Sequence, residues 1–221
     1  TPLTPTAADP SYPGAHSALS AAAATVLTAF YGPQQGVSVT SAADPGVTRT
    51  FTGFTAVADE AGQVRDEQLE GEAELRRRLA LAQIRQYPDP VLRMRAHEVE
   101  QFDADLGQLV ERLRHLLREA NGLGLAATQI GVLRRVFAFL PDPDEDPVVL
   151  VNPHFTVTSE EREIDTEGCL SLQGVVIPVE RHVSLTVEGQ DPDGNDVKLE
   201  LDGLPARIAQ HELDHLDGVL I

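Results

Sequence analysis

Apolar residues recur at intervals of three and four over residues 103–120, which predicts an amphipathic helix packed on a core. Its apolar positions are Leu106, Leu109, Val110, Leu113, Leu116, Leu117 and Ala120. Asp103 is expected to cap the first turn and Gly122 to end the helix. His115 is not among the apolar positions and is expected at the surface.

Short β-branched or alternating runs, separated by Pro, Gly and Asp, predict antiparallel strands farther along the chain. They are residues 135–140, 148–152, 155–158, 183–187 and 197–201. Residues 191–195, Asp-Pro-Asp-Gly-Asn, are typical of a hairpin turn between the last two. Residues 204–216 return to a helical pattern. The expected fold class is α+β, with short-stranded antiparallel or mixed sheets around a central C-terminal helix.

Residues 1–58 differ from the rest of the chain, because they are rich in Ala, Thr, Ser, Pro and Gly and almost free of charge. We predict a helix from Ser17 to about residue 31 and short strands at residues 37–40 and 48–55. The charged residues 59–78 predict a solvated connecting helix. Residues 1–78 are therefore expected to form an N-terminal extension of unknown role, partly helical and partly flexible.

Composition narrows the class of protein. A formal net charge of −18 argues against binding to nucleic acid or to an anionic membrane surface. A single cysteine excludes an intrachain disulfide and is typical of a reducing compartment. The apolar residues 18–30 are shorter than the about 20 needed to span a bilayer, and no basic residue precedes them as in a signal peptide. We expect a cytoplasmic protein.

The most specific chemical motif is the His-Glu-x-x-His of residues 211–215. On a helix, His211 and His215 lie on one face, so both imidazoles can bind one divalent metal. Glu212 would lie beside that metal, where a carboxylate can take a proton from water. The alternative is a pair of ordinary histidines on a solvated helix. Leu204 and Ile208 share the predicted face and could line an apolar pocket.

A third protein ligand is expected upstream of this helix. Six residues follow His215, none of which is His, Glu or Cys, and Asp217 is too close in sequence to reach back. Cys169 alone would be read as a buried apolar residue. Together with two helical histidines it is favoured as a thiolate ligand, which leaves one coordination position open. Such a donor set suits zinc as well as iron.

Three motifs stand in order along the chain: Gly-Leu-Gly-Leu-Ala-Ala-Thr-Gln at residues 122–129, Glu-Gly-Cys-Leu-Ser at 167–171 and His-Glu-Leu-Asp-His at 211–215. Together they resemble the peptide deformylase family, over about residues 84–221, and residues 84–92 resemble its opening strand and turn. The resemblance implies that residues 79–221 form a catalytic domain. It also implies removal of formate from N-formylmethionyl nascent peptides, near the ribosome.

The resemblance assigns a role to each matching residue. It implies that Cys169, His211 and His215 hold one divalent metal, natively Fe(II), although zinc, nickel or cobalt can occupy the site. Glu212 would be the general acid and base. Gln129 and the backbone N–H of Leu170 would stabilise the oxyanion. The implied substrate-binding residues are Leu123 and Gly124 at a strand edge and Leu204 and Ile208 in the methionine pocket.

Two positions depart from the family pattern, because Gln173 and Val176 stand where the family often has a proline and an arginine near the substrate. Arg181 matches a family arginine, and we expect it to pair with Glu167, the alternative being a solvated surface pair. A general metallopeptidase and a non-catalytic metal-binding module are the competing functions. Retention of both Glu212 and Gln129 disfavours the second, since neither is needed to hold a metal.

Overall fold

The structure, a computed structural model, describes residues 24–26, 28, 37–40, 48–142 and 145–221. The chain divides into two compact units, Thr1–Glu72 and Ala73–Ile221. The long helices are α1 (Phe54–Leu81), α2 (Ala104–Glu119) and α3 (Gly203–Leu216). In the described part of the chain, no helix is both long and apolar enough to cross a bilayer.

The first unit contains a short antiparallel ribbon of β1 (Val37–Thr40) and β2 (Thr48–Phe51). The predicted strand at residues 48–55 is wrong in its second half, since α1 already begins at Phe54 after a bend at Thr52 and Gly53. The connecting helix predicted at residues 59–78 is confirmed as part of α1. Of the helix predicted from residue 17, residues 24–26 and 28 are helical and the others lie outside the described residues.

The second unit is built on a five-stranded antiparallel sheet, with strand order β3-β4-β5-β8-β9. Its strands are β3 (Gly124–Ala126), β4 (Val136–Phe139), β5 (Val148–Thr158), β8 (Ser184–Gln190) and β9 (Asp196–Asp202). Strands β6 (Arg162–Cys169) and β7 (Leu172–His182) form a separate hairpin. The predicted α+β class is confirmed.

Several strand predictions need correction. Residues 148–152 and 155–158 belong to one strand, β5, whose register shifts twice where it pairs with β8. Residues 84–92 are all described and form no strand. They form turns that lead into a short 3-10 helix, Pro90–Arg93. The β6–β7 hairpin was missed because most of its residues are exposed and many are charged, so that no apolar alternation marks it.

Helix α2 confirms the predicted start. The Asp103 carboxylate accepts a hydrogen bond from the Leu106 N–H at 3.0 Å, and the predicted apolar stripe is buried while His115 is exposed. The end of α2 differs from the prediction, which placed it at Gly122. Asn121, with φ 54°, takes the left-handed conformation that ends the helix. Gly122 instead allows close packing, since a Cβ there would lie 2.8 Å from Cδ1 of Leu170.

Helix α3 lies in one of two apolar core clusters. Its buried Ala209, Leu213 and Leu216 pack with Phe137 and Leu150 of the sheet. Burial of each large apolar side chain contributes about 1.5–3 kcal/mol. The sheet therefore holds α3 in a fixed position, and the polar residues of its buried face cannot turn toward solvent.

Candidate metal centre and substrate cleft

The three predicted metal ligands meet at one point. Cys169 ends β6, and its Sγ lies 3.3 Å from Nε2 of His215, which lies 3.1 Å from Nε2 of His211. The three ligand atoms all lie within 4.8 Å of one another. Around one tetrahedral ion with bonds of about 2.0–2.3 Å, neighbouring ligand atoms would be about 3.3–3.6 Å apart. The cluster thus fits a single divalent ion.

Glu167 orients His211 from behind. Its Oε2 lies 2.9 Å from Nδ1 of His211, so this nitrogen can donate its proton and leave the Nε2 lone pair for a metal. Burial raises the pKa of Glu167, but hydrogen bonds from His211 and Arg181 outweigh that effect and lower it to about 2. The carboxyl is therefore an anion that fixes the tautomer and orientation of the ligand.

Two buried arginines hold Glu167 in turn. Arg181 donates from Nε at 2.9 Å and from Nη2 at 3.0 Å, and it also binds Asp214 at 2.5 Å. Arg207 donates from Nη1 to Glu167 at 2.8 Å and to the Val179 carbonyl at 3.0 Å. The predicted Arg181–Glu167 pair is confirmed and is buried, not solvated. Arg207 was not predicted from the sequence, although its position four residues before His211 on the same helix was a signal for it.

Glu212 lies beside the cluster in an almost dry position, with 2% of its surface exposed. Its Oε2 has no hydrogen-bond partner among the described residues. Burial raises the pKa of Glu212 to about 7, against the opposing charge of His211. A carboxyl group that ionises near neutral pH can both accept a proton and return it.

Strand β3 passes directly against this carboxylate at Gly124. A Cβ at Gly124 would collide with Oε1 of Glu212 and would lie 2.7 Å from its Cδ. Real Cβ atoms do not approach a neighbour so closely, and Glu212 is buried on its other sides. Glycine at this position is therefore required for the strand edge to pass the carboxylate.

Gln129 brings an amide to the ligand sulfur. Its Oε1 accepts from the Ala126 N–H at 2.8 Å, which directs Nε2 toward Ser171 Oγ at 3.2 Å and Cys169 Sγ at 3.6 Å. The carbonyl of Leu170, next to the cysteine, accepts from Gln86 at 3.0 Å. Both predicted oxyanion residues thus flank Cys169, and Gln86 was missed because it lies far away in sequence.

A cleft of about 470 Å³ opens onto the cluster. The predicted residues that line it are Leu123, Gly124, Gln129, Cys169, Leu170, Leu204, Ile208, His211 and Glu212. His215 is fully buried behind them. Gln173 and Val176, where the chain departs from the family pattern, lie in the cleft wall, and Arg77 and Leu81 of α1 line it as well. The departures therefore affect the cleft and leave the ligand cluster unchanged.

A Cys/His/His cluster beside a buried carboxylate, in a mostly apolar cleft, is typical of a metal-dependent hydrolase centre. The sequence model of the polypeptide deformylase family matches residues 81–221. This match covers more than half of the chain, and the chain belongs to that family.

Curated relatives and solved structures agree with this assignment. A peptide deformylase of Desulforudis audaxviator is 44% identical over 142 residues, which are 64% of this chain and 92% of the relative. One of Caldicellulosiruptor bescii is 46% identical over 142 residues, 64% of this chain and 84% of the relative. The crystal structure of peptide deformylase from Thermotoga maritima aligns with a TM-score of 0.59 at 41% identity, covering 62% of this chain and 92% of that chain.

Proposed function

We propose that this chain removes the formyl group from the N-formylmethionine of nascent polypeptides and releases formate, with residues 79–221 as the catalytic domain. The observation that supports it most is the placement of Glu212 beside the Cys169, His211 and His215 cluster in a chain of the deformylase family. This substrate is made where proteins are synthesised, so we expect the protein in the cytoplasm near ribosomes.

Cys169, His211 and His215 would hold one divalent metal ion. Fe(II) is the ion that the family resemblance favours, and zinc, nickel or cobalt fit the same donor set. When bound, such an ion supplies a Lewis acid that lowers the pKa of water and polarises a carbonyl oxygen. The unpartnered, buried Oε2 of Glu212 supports the fit, because an unpartnered carboxylate oxygen beside a cation is far less costly than one in an apolar site.

In this proposal, Glu212 is the group that accepts and donates the proton. Its carboxylate takes the proton of the attacking water and later delivers it to the departing amine nitrogen of methionine. The amide of Gln129 and the backbone N–H of Leu170 donate hydrogen bonds to the oxygen that becomes negative during the attack. Loss of one such donor typically costs about 10²–10³ in rate.

Substrate binding uses the edge of the sheet and the face of α3. In the described part of the chain β3 pairs on one side with β4, so its other side can accept the main chain of an extended peptide at Leu123 and Gly124. Leu204 and Ile208 lie in the same cleft and offer apolar contacts to an unbranched side chain such as methionine.

The product mixture separates this function from its competitors. The full chain, purified anaerobically and loaded with Fe(II), is incubated with formyl-Met-Ala-Ser, and products are identified by mass spectrometry and a formate assay. We expect equal amounts of formate and intact Met-Ala-Ser. Cleavage of a peptide bond without formate would indicate the metallopeptidase, and an unchanged peptide would indicate the non-catalytic module.

A further inference from the structure

The last residues of helix α1 belong to the second unit, where they pack in its core next to the cleft. Ala80 is 3% exposed and packs in the core cluster that includes α2. Arg76 pairs with Glu119 at 3.6 Å, and Nε of Arg77 donates to the Ala120 carbonyl at 3.4 Å. The last turns of α1 therefore present Arg77 at a defined position.

Arg77 is the exposed cation of the cleft wall. The other ionisable lining residues in the described part of the chain are Glu167, Arg207, His211 and Glu212, all buried, and Cys169. The side chain of Arg77 is 48% exposed, and its carboxylate neighbour, Glu74, lies at 4.0 Å and is 58% exposed. This loose pair leaves the guanidinium available to a ligand, and Arg77 precedes the family match at residues 81–221.

The position of Arg77 along the cleft indicates which part of a peptide it meets. Gly124 passes Glu212, and the chain leads back from there through Leu123, Gly122 and Asn121 to Ala120, whose carbonyl Arg77 contacts. The chain turns between Ala120 and Gly124, with Asn121 at φ 54°, so Arg77 contacts the start of this turn and not the strand that passes Glu212. Because Arg77, Leu123, Gly124 and Glu212 line one cleft, a peptide with its formyl group at Glu212 would bring a later residue toward Arg77.

We infer that Arg77 binds a carboxylate on the peptide beyond its formylmethionine, an inference that rests on the proposed function. The carboxylate is either an acidic side chain or the C-terminal group of a short peptide. The net charge of −18 repels acidic peptides at long range. An exposed guanidinium at the cleft gives such a peptide a local attractive contact. Exposed ion pairs of this kind change affinity by about two- to fivefold.

The test compares kcat/KM for three peptides: formyl-Met-Ala-Ser-amide, formyl-Met-Ala-Asp-amide and formyl-Met-Ala-Ser with a free carboxylate. For Arg77→Ala we expect a two- to fivefold loss on the charged peptides relative to the neutral amide. The loss should lie in KM, shrink at high salt and be partly restored in Arg77→Lys. A loss on the Asp peptide assigns the side chain, and a loss on the free acid alone assigns the terminus.

Arg76→Ala is the matched control, because Arg76 is the neighbouring exposed arginine and is absent from the cleft wall. Its charged-to-neutral ratio should equal that of the parent. The inference is overturned if Arg77→Ala leaves that ratio unchanged or if Arg76→Ala shifts it equally. Failure of the parent to release formate from the neutral amide would instead overturn the proposed function.

Discussion

Glu167 binds three partners at once, and this concentration of buried charge makes it the most constrained residue of the site. His211, Arg181 and Arg207 all contact its two oxygens. Removal of one member of a buried ion network leaves the others without compensation, which costs far more than loss of an exposed pair. The network therefore connects stability of the hairpin and helix to the orientation of a metal ligand.

Glu167→Gln should lower both the metal affinity and the stability of the folded chain. Loss of the anion leaves two buried arginines underpaired, and we expect about 3–5 kcal/mol of destabilisation in urea unfolding. Metal affinity should fall about 10–100-fold in chelator competition, because the acceptor that orients His211 loses its negative charge. Glu180→Gln, which breaks an exposed pair with Arg162, is the control and should cost less than about 1 kcal/mol. Unchanged metal affinity in Glu167→Gln would contradict the orienting role.

The local part of this site was predictable from sequence and the tertiary part was not. His211, Glu212 and His215 could be placed together because a helix fixes their spacing, and Cys169 followed from the need for a third ligand. The pairing of Arg181 with Glu167, 14 residues apart, was predicted only through the family resemblance, and Arg207, 40 residues from Glu167, was not predicted because no local pattern encodes such a distance. Gln86 and Arg77 escaped prediction for the same reason, since only folding brings them to the cysteine loop and the cleft.

Strand β3 places the proposed substrate edge in contact with Glu212, the proposed catalytic carboxylate, and Gly124 makes that contact possible. Gly124→Ala should displace Glu212 or push the strand away, because the added Cβ overlaps the carboxylate. If Glu212 is the general acid and base, deformylation should fall about 10²–10⁴-fold. Metal content should stay near that of the parent, and both are measured on the same preparation.

Gly107→Ala is the control for this substitution. Gly107 lies exposed within α2 with open space around it, so alanine should raise stability by about 0.5–1 kcal/mol and leave activity unchanged. Parent-like activity in Gly124→Ala would mean that Glu212 does not need its present position.

Prediction of elements succeeded where the pattern was strong. The stripe and N-cap of α2 determined that helix, and the hairpin chemistry of residues 191–195 correctly joined β8 to β9. The β6–β7 hairpin was not predicted, because the contacts that hold it leave no apolar pattern in the sequence. These contacts are its cross-strand hydrogen bonds and its bonds to α3, such as that from Arg207 to the Glu163 carbonyl. Strand β5 was split because its bulged middle contains Pro153.

In the molecule as a whole, the predicted metal ligands come from two separate elements. Cys169 comes from the hairpin, and both histidines come from α3. A metal that binds the folded chain alone should stabilise it by about 2.7 kcal/mol at a concentration 100 times its dissociation constant. Thermal unfolding should therefore shift upward by about 5–10 °C on metal addition and return after chelation. Cys169→Ala should lose most of this shift, and retention of the full shift would place the ion elsewhere.

We propose that Glu212, beside the Cys169, His211 and His215 cluster, carries out the proton transfers of deformylation. Formate release per bound metal, compared between the parent and Glu212→Gln on formyl-Met-Ala-Ser, tests it most directly. We expect equal metal content and a rate reduced about 10²–10⁴-fold in the variant. Equal metal content with an unchanged rate of formate release would contradict the claim.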